Sequence, residues 1–317
     1  TNMLKAIGNT PLVQLTKLPS PGSADVFVKL EFYNPTGSYK DRMALAMIEE
    51  AEHRGTLKPG MTVVEYTGGS TGSSLSFVCA TKGYSLEIVT SDAFAREKLQ
   101  TMAAFGAHLT IVPSVGGKIT PDLIPRMIDT ASKIASKPGS YFTNQLCNPD
   151  VVTGYEPMGR EIFSQMKGRT IDAFCGSVGT AGMLMGVAQS LRKAGCTTTR
   201  IIALEPAEAP ILTQGEAGGA HGVEGIGIGS VPPLLNKALY DEARSIPEEL
   251  ARETARWLAR EEGILVGTSS GLNVAAALQL AKELGVGHTV VTVVVDTGLK
   301  YLAGDLFSAP GVPPAHK

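Results

Sequence analysis

Asp172-Ala-Phe-Cys-Gly-Ser-Val-Gly-Thr-Ala-Gly182 (DAFCGSVGTAG) is the stretch that decides the fold. A short run, Asp172 to Cys175, passes into a glycine-rich loop, and the apolar spacing from Ala181 to Lys193 is helical. Strand, glycine turn and helix in direct succession form the first half of a βαβ unit. Glycines here let backbone amides approach an anion. Ser177 and Thr180 add hydroxyls, and the helix N-terminus adds partial positive charge. The loop lacks G-x-G-x-x-G spacing, and no G-x-x-x-x-G-K-[ST] occurs in the chain, which favours a phosphate monoester over a nucleotide. An ordinary βα turn is the alternative.

The same alternation runs outward in both directions. Strands are expected at Val26 to Leu30, Thr62 to Tyr66, Ser85 to Thr90, Leu109 to Val112, Arg200 to Glu205 and Val290 to Asp296. The last, VVTVVVD, is almost continuously apolar, as in a strand buried on both faces. Helices are expected at Asp41 to Arg54, Gly72 to Lys82, Ala93 to Phe105, Pro121 to Ser136, Gly154 to Met166, Glu248 to Glu262 and Leu272 to Leu284. This pattern predicts an α/β fold with mostly parallel sheets and helices on both faces. The segment from Gln214 to Pro233, rich in Gly, Ala and Pro, has no clear period and reads as a long loop.

Two further loops have the chemistry of an anion site. Thr67-Gly68-Gly69-Ser70-Thr71-Gly72 follows a strand and opens a helix, which suits a carboxylate. Thr268-Ser269-Ser270-Gly271 precedes the helix expected at Leu272, and an N-cap is its plainer reading. Lys40 follows the turn residues Pro35 and Gly37 and stands at a helix start. The helix field there disfavours an ammonium ion, and a lysine with a lowered pKa supplies the neutral amine needed for Schiff-base chemistry.

Bulk properties narrow the function. A chain of 317 residues can form about two domains and bury a large core without disulfides or metals. The net charge of −2 and the absence of basic runs argue against nucleic acid and membrane surfaces as partners. The four cysteines, Cys79, Cys147, Cys175 and Cys196, have no C-x-x-C spacing, so buried free thiols are expected and a metal site is not. Thr1 to Pro11 has no apolar core of signal-peptide length, and no apolar run reaches the ~18 residues of a span, so a cytoplasmic protein is expected.

With these residues in order, the chain resembles the cysteine synthase family of fold type II pyridoxal-phosphate (PLP) enzymes, over nearly its whole length. The motifs are IGNTPLVQL (Ile7 to Leu15), NPTGSYKDR (Asn34 to Arg42), GSVGT (Gly176 to Thr180), HGVEGIGIG (His221 to Gly229), GTSSG (Gly267 to Gly271) and DTGLKYL (Asp296 to Leu302). The resemblance implies two doubly wound α/β domains with the cofactor in the cleft between them. The smaller would span 37–146 and the larger 1–36 with 147–317. It implies Lys40 as the Schiff-base lysine that later moves the α-proton. Gly176, Ser177, Val178, Gly179 and Thr180 would hold the phosphate, Ser269 would partner the pyridine nitrogen, and Ser70 would stand beside the cofactor. Thr67, Gly68, Gly69, Ser70, Thr71 and Gln145 would bind the substrate carboxylate.

Three motifs depart from the family pattern. Tyr39 replaces the usual Val or Ile, Val178 replaces a glycine, and the substrate loop reads TGGSTG where TSGNTG is usual. The last exchanges a serine for Gly68 and an asparagine for Ser70. The resemblance implies β-replacement on an O-acetyl-L-serine-like amino acid through an aminoacrylate, with sulfide or another nucleophile adding. The altered loop leaves open β-elimination to pyruvate and ammonia. A weakly catalytic PLP-binding partner protein is the reading from another class. A homodimer, and docking of a serine acetyltransferase tail, are implied by the family alone.

Overall fold

The computed structural model describes residues 2–117, 120 and 122–308. In chain order the strands are β1 (Leu12–Gln14), β2 (Asp25–Leu30), β3 (Thr62–Tyr66), β4 (Ser85–Ser91), β5 (His108–Val112) and β6 (Ser140–Phe142). They continue as β7 (Ala173–Ser177), β8 (Arg200–Pro206), β9 (Glu242–Ile246) and β10 (Thr289–Val294). The helices are α1 (Lys40–His53), α2 (Ser70–Lys82), α3 (Arg96–Ala104), α4 (Leu123–Ala135), α5 (Asp150–Gln165), α6 (Gly182–Lys193), α7 (Glu248–Trp257) and α8 (Thr268–Leu284). Pro121, expected to open α4, lies outside the described residues.

The chain divides into two compact units: Thr1–Ile7 with Lys40–Gly154, and Gly8–Tyr39 with Tyr155–Lys317. The division inside the molecule therefore falls within α5, at Gly154, whereas the sequence pattern breaks at Leu146 to Asp150.

The first unit is a four-stranded sheet in the order β5-β4-β3-β6, and every pair is parallel. Val64, Tyr66, Val89 and Val112 of the sheet pack against Leu123, Met127 and Ala131, which recur on one face of α4. α2 ends at Gly83, whose left-handed backbone (φ 81°) turns the chain into β4.

The second unit is a six-stranded sheet in the order β1-β2-β10-β7-β8-β9. All pairs are parallel except β1 with β2. All six residues of β10 are buried, as expected for a strand between two covered faces. α8 packs on β10 and β7, and its alanines and Leu272, Val274 and Leu280 complete that side of the core. No helix among the described residues is long and apolar enough to cross a membrane.

Three strands escape the sequence pattern: β1, β6 and β9. Each is short and half-exposed at a sheet edge, so neither an apolar run nor a clean alternation marks it. α8 begins at Thr268, four residues before the helix expected at Leu272, with Gly267 as its N-cap. The helix expected at Glu248 to Glu262 changes character at Leu258, where a π-helical turn runs to Glu262 and stops at Gly263.

Candidate active site

In parallel sheets, ligands bind where strands end and helices begin. Lys40 stands at a helix start: it is the first residue of α1 and is only 8% exposed. The preceding turn is built by Asn34, whose side chain donates to the Glu31 carbonyl and carboxylate (2.8 Å each) and accepts from Gly8 N (2.8 Å). Gly37 closes it with φ 73°, and a Cβ there would lie 2.7 Å from Thr297 Cγ2. Tyr39 N donates to the Val295 carbonyl at 2.9 Å.

Tyr39 is buried, and its ring centroid is 5.3 Å from that of Tyr155. Burial, and secondarily the Asp296 carboxylate, hold its hydroxyl well above the ordinary 10. The ring therefore fills core space where the family has an aliphatic residue, and it stays neutral.

Within the second unit, the glycine loop follows β7 as expected. Ser177 is 3% exposed, and its Oγ has no hydrogen-bond partner among the described residues. A buried hydroxyl left without a partner costs free energy, so it marks a place where a ligand belongs. The backbone narrows the assignment further. Ser177 N donates to Asn273 Oδ1 (2.8 Å) and Val178 N to the Leu204 carbonyl (2.9 Å). These two amides are engaged in the fold, which leaves Gly179, Thr180 and Ala181 to supply backbone donors to an anion. Thr180 Oγ1 already accepts from Gly182 N (3.2 Å) and keeps its proton for a ligand.

Gly179 has a steric reason. A Cβ there would run into the Gly225 carbonyl, in the loop His221 to Gly229. That loop is fixed by His221 Nε2 on the Gly227 carbonyl (3.0 Å) and by Gly222 N donating to Glu248 Oε2 (2.7 Å).

Ser269 is buried in the first turn of α8, and no side chain caps that helix. Asn273 stands one turn further on the same face. It is fully buried and also donates through Nδ2 to the Val293 carbonyl (2.8 Å). Ser270 Oγ accepts from Val295 N (2.9 Å), so that serine holds the end of β10. Sequence reading missed Asn273. An amide near the start of the largely apolar run LNVAAALQLA was its signal, because a buried polar side chain needs a partner.

Within the first unit, the TGGSTG loop joins β3 to α2. Gly69 N donates to Thr67 Oγ1 (3.1 Å), and Gly69 caps α2 without a side-chain bond. The opening turn of α2 includes Ser70 and Thr71. Thr71 Oγ1 donates to Gln145 Oε1 (2.8 Å), so two of the residues expected to bind a carboxylate are in direct contact. Lys40 opens α1, and α1 packs against α2. Gly68 lies under the ring of Phe94, which sequence reading also missed.

All four cysteines are free thiols. Cys79 and Cys175 are buried, and burial pushes both up to about 12; Cys147 is exposed, against the expectation of a buried thiol, because it follows the Gln145 turn at the surface.

Residues 3–296 match the family model of pyridoxal-phosphate dependent enzymes. The chain is 42% identical over 308 residues to the cysteine synthase of Staphylococcus aureus, covering 97% of each chain. Among solved structures, O-ureido-L-serine synthase matches with TM-score 0.89 and 35% identity, over 98% of this chain and 96% of that one. The cysteine synthase of Entamoeba histolytica matches with TM-score 0.89 and 34% identity, over 98% and 92%. The chain belongs to the cysteine synthase family of pyridoxal-phosphate dependent enzymes.

Proposed function

We propose that this protein catalyses β-replacement on an L-amino acid carrying a β-leaving group of the O-acetyl-L-serine kind, with sulfide or another small nucleophile adding. The observation that carries the reading is Ser177, a buried hydroxyl without a partner among the described residues, in a loop whose later amides, from Gly179 to Ala181, are open to a phosphate. These residues fit the phosphate of the cofactor: Gly179, Thr180 and Ala181 offer amides, and Ser177 and Thr180 offer hydroxyls. When bound, the cofactor supplies the electron sink that lets the Cα–H bond and then the bond to the β-leaving group break.

The chain's own residues do the rest. Lys40 Nζ is the amine that binds the cofactor carbonyl and takes the α-proton of the substrate. It stands at the start of α1 and is largely out of water. Thr71, Gln145 and the opening turn of α2 receive the substrate carboxylate, with Thr67, Gly68, Gly69 and Ser70 shaping that loop. Ser269 is assigned to the pyridine nitrogen as a neutral partner. A hydroxyl there does not stabilise a protonated ring as a carboxylate would, which suits loss of a β-substituent over a long-lived carbanion.

Purified protein with bound cofactor tests this when supplied with O-acetyl-L-serine and sulfide. Cysteine formed with a double-displacement rate law supports it. Pyruvate and ammonia formed equally fast without any nucleophile would replace it with β-elimination. The family resemblance adds a cytoplasmic homodimer that receives a serine acetyltransferase tail, and light scattering on the purified protein tests the dimer.

A further inference from the structure

Glu65 is a fully buried carboxylate that the proposed mechanism does not use. It is the fourth residue of β3, one step before the strand ends. Its Oε1 accepts from Tyr66 N (2.9 Å), and its Oε2 accepts from Thr143 Oγ1 (2.7 Å) and Gln145 N (3.0 Å). All three donors are neutral. A buried carboxylate without a cation is costly, and a core strand has no need of one.

The backbone between the last two donors explains the cost. Asn144 has φ 45°, a left-handed conformation that brings Thr143 Oγ1 and Gln145 N onto one oxygen. Asn148 Nδ2 supports the same turn by donating to the Thr143 carbonyl (2.9 Å). From this turn the Gln145 side chain reaches back, accepting from Thr71 Oγ1 (2.8 Å) and donating to the Tyr66 carbonyl (3.4 Å). A connected path therefore runs from Glu65, through the main chain of Gln145, to Gln145 Oε1 and Thr71.

We infer that Glu65 is a positioning residue for substrate binding: its carboxylate holds the Asn144–Gln145 turn and so sets Gln145 and Thr71 for the α-carboxylate of the amino acid. This rests on the reading of Thr71 and Gln145 as carboxylate ligands. Ionised, as it is above about pH 7, the carboxylate is acceptor-only and serves all three donors, so the test is run at about pH 8. A glutamine keeps at most the two on one oxygen and sets its own NH2 against the third. If Glu65 only tied β6 to β3, its loss would lower stability and leave ligand affinity untouched.

The test uses the protein with bound cofactor and four forms: wild type, Glu65→Gln, Gln145→Ala and the double variant. Two quantities are read: KM and kcat for O-acetyl-L-serine, and the dissociation constant of L-serine from the change in cofactor absorption. L-serine carries the same α-carboxylate with a poor leaving group, so its binding reports the pocket whatever the natural leaving group is. Glu65→Gln is expected to raise both KM and the L-serine constant about tenfold, with kcat within about twofold. In the Gln145→Ala background it is expected to add nothing, because the path is already cut. Unchanged L-serine binding in Glu65→Gln, or an equal loss in both backgrounds, overturns the inference. Wild type that binds L-serine but does not turn over O-acetyl-L-serine counts against the proposed reaction instead. If Glu65→Gln fails to fold, Thr143→Val removes one donor and keeps the carboxylate. It is then expected to weaken L-serine binding about threefold, again only when Gln145 is present, and no change overturns the inference.

Discussion

The ring of Phe94 occupies the space that a side chain at Gly68 would take: a Cβ built on Gly68 falls among the ring atoms. The serine usual in this family is therefore excluded here by a neighbour that packs against the core of the first unit. The two positions form a complementary pair, an aromatic ring in place of a hydroxyl on the loop between β3 and α2.

Gly68→Ser is expected to displace the ring, cost about 1–3 kcal/mol and raise KM for the amino acid. Adding Phe94→Ala makes room and recovers part of both losses. Urea unfolding and steady-state kinetics on the two single variants and the double measure the coupling, expected at about 1 kcal/mol or more. Simple additivity would mean that the loop moves aside without involving Phe94.

Asn273→Ala leaves the Ser177 N–H and the Val293 carbonyl buried without their partner. The expected cost is about 2–4 kcal/mol, with weaker retention of the cofactor because the Ser177 amide loses its anchor. Chemical denaturation and cofactor dissociation by gel filtration check the two effects. A variant that loses stability but retains cofactor as wild type does would mean that the Asn273 bond to Ser177 N has no bearing on cofactor binding.

Burial raises the Glu65 carboxyl from its ordinary 4.5 to about 7, against the lowering pull of Thr143 and of the Tyr66 and Gln145 amides. Between those values the folded chain holds a proton that the unfolded chain has released. The contribution of this group to stability is therefore full below pH 4.5 and is lost as pH rises through about 7. Tyr66, the titratable neighbour, is itself pushed up by burial and then by Glu65, so it stays neutral throughout the window. Glu65→Gln does not titrate, and the gap in Tm between wild type and this variant should shrink from about pH 5 to about pH 8. A constant gap would mean that Glu65 ionises at its ordinary value.

Much of this arrangement is legible in the sequence, and for particular reasons. DAFCGSVGTAG reads as strand, loop and helix because its apolar run, glycines and helical spacing agree. Lys40 reads as a helix start because Pro35 and Gly37 end one pattern and Met43 begins another. The edge strands β1, β6 and β9 carry too few residues and too little burial to show a period. Glu65, Asn273 and Phe94 depend on what faces them across the fold, and no local pattern states that. For Glu65 and Asn273 the visible trace is a polar residue within a largely apolar run, TVVEY and LNVAAALQLA. Phe94 leaves no trace, since its role lies in the side chain missing from Gly68. Which amides of this loop are open to a ligand also needed the structure: Ser177 N and Val178 N look available in the sequence and are engaged in the fold.

The central claim is that Lys40 is the amine that carries the cofactor. Borohydride reduction of the purified protein, followed by peptide mass mapping, tests it most directly. The account predicts the reduced cofactor on Lys40, and turnover in Lys40→Ala below about a thousandth of wild type. Label on another lysine, or undiminished turnover in Lys40→Ala, would contradict it.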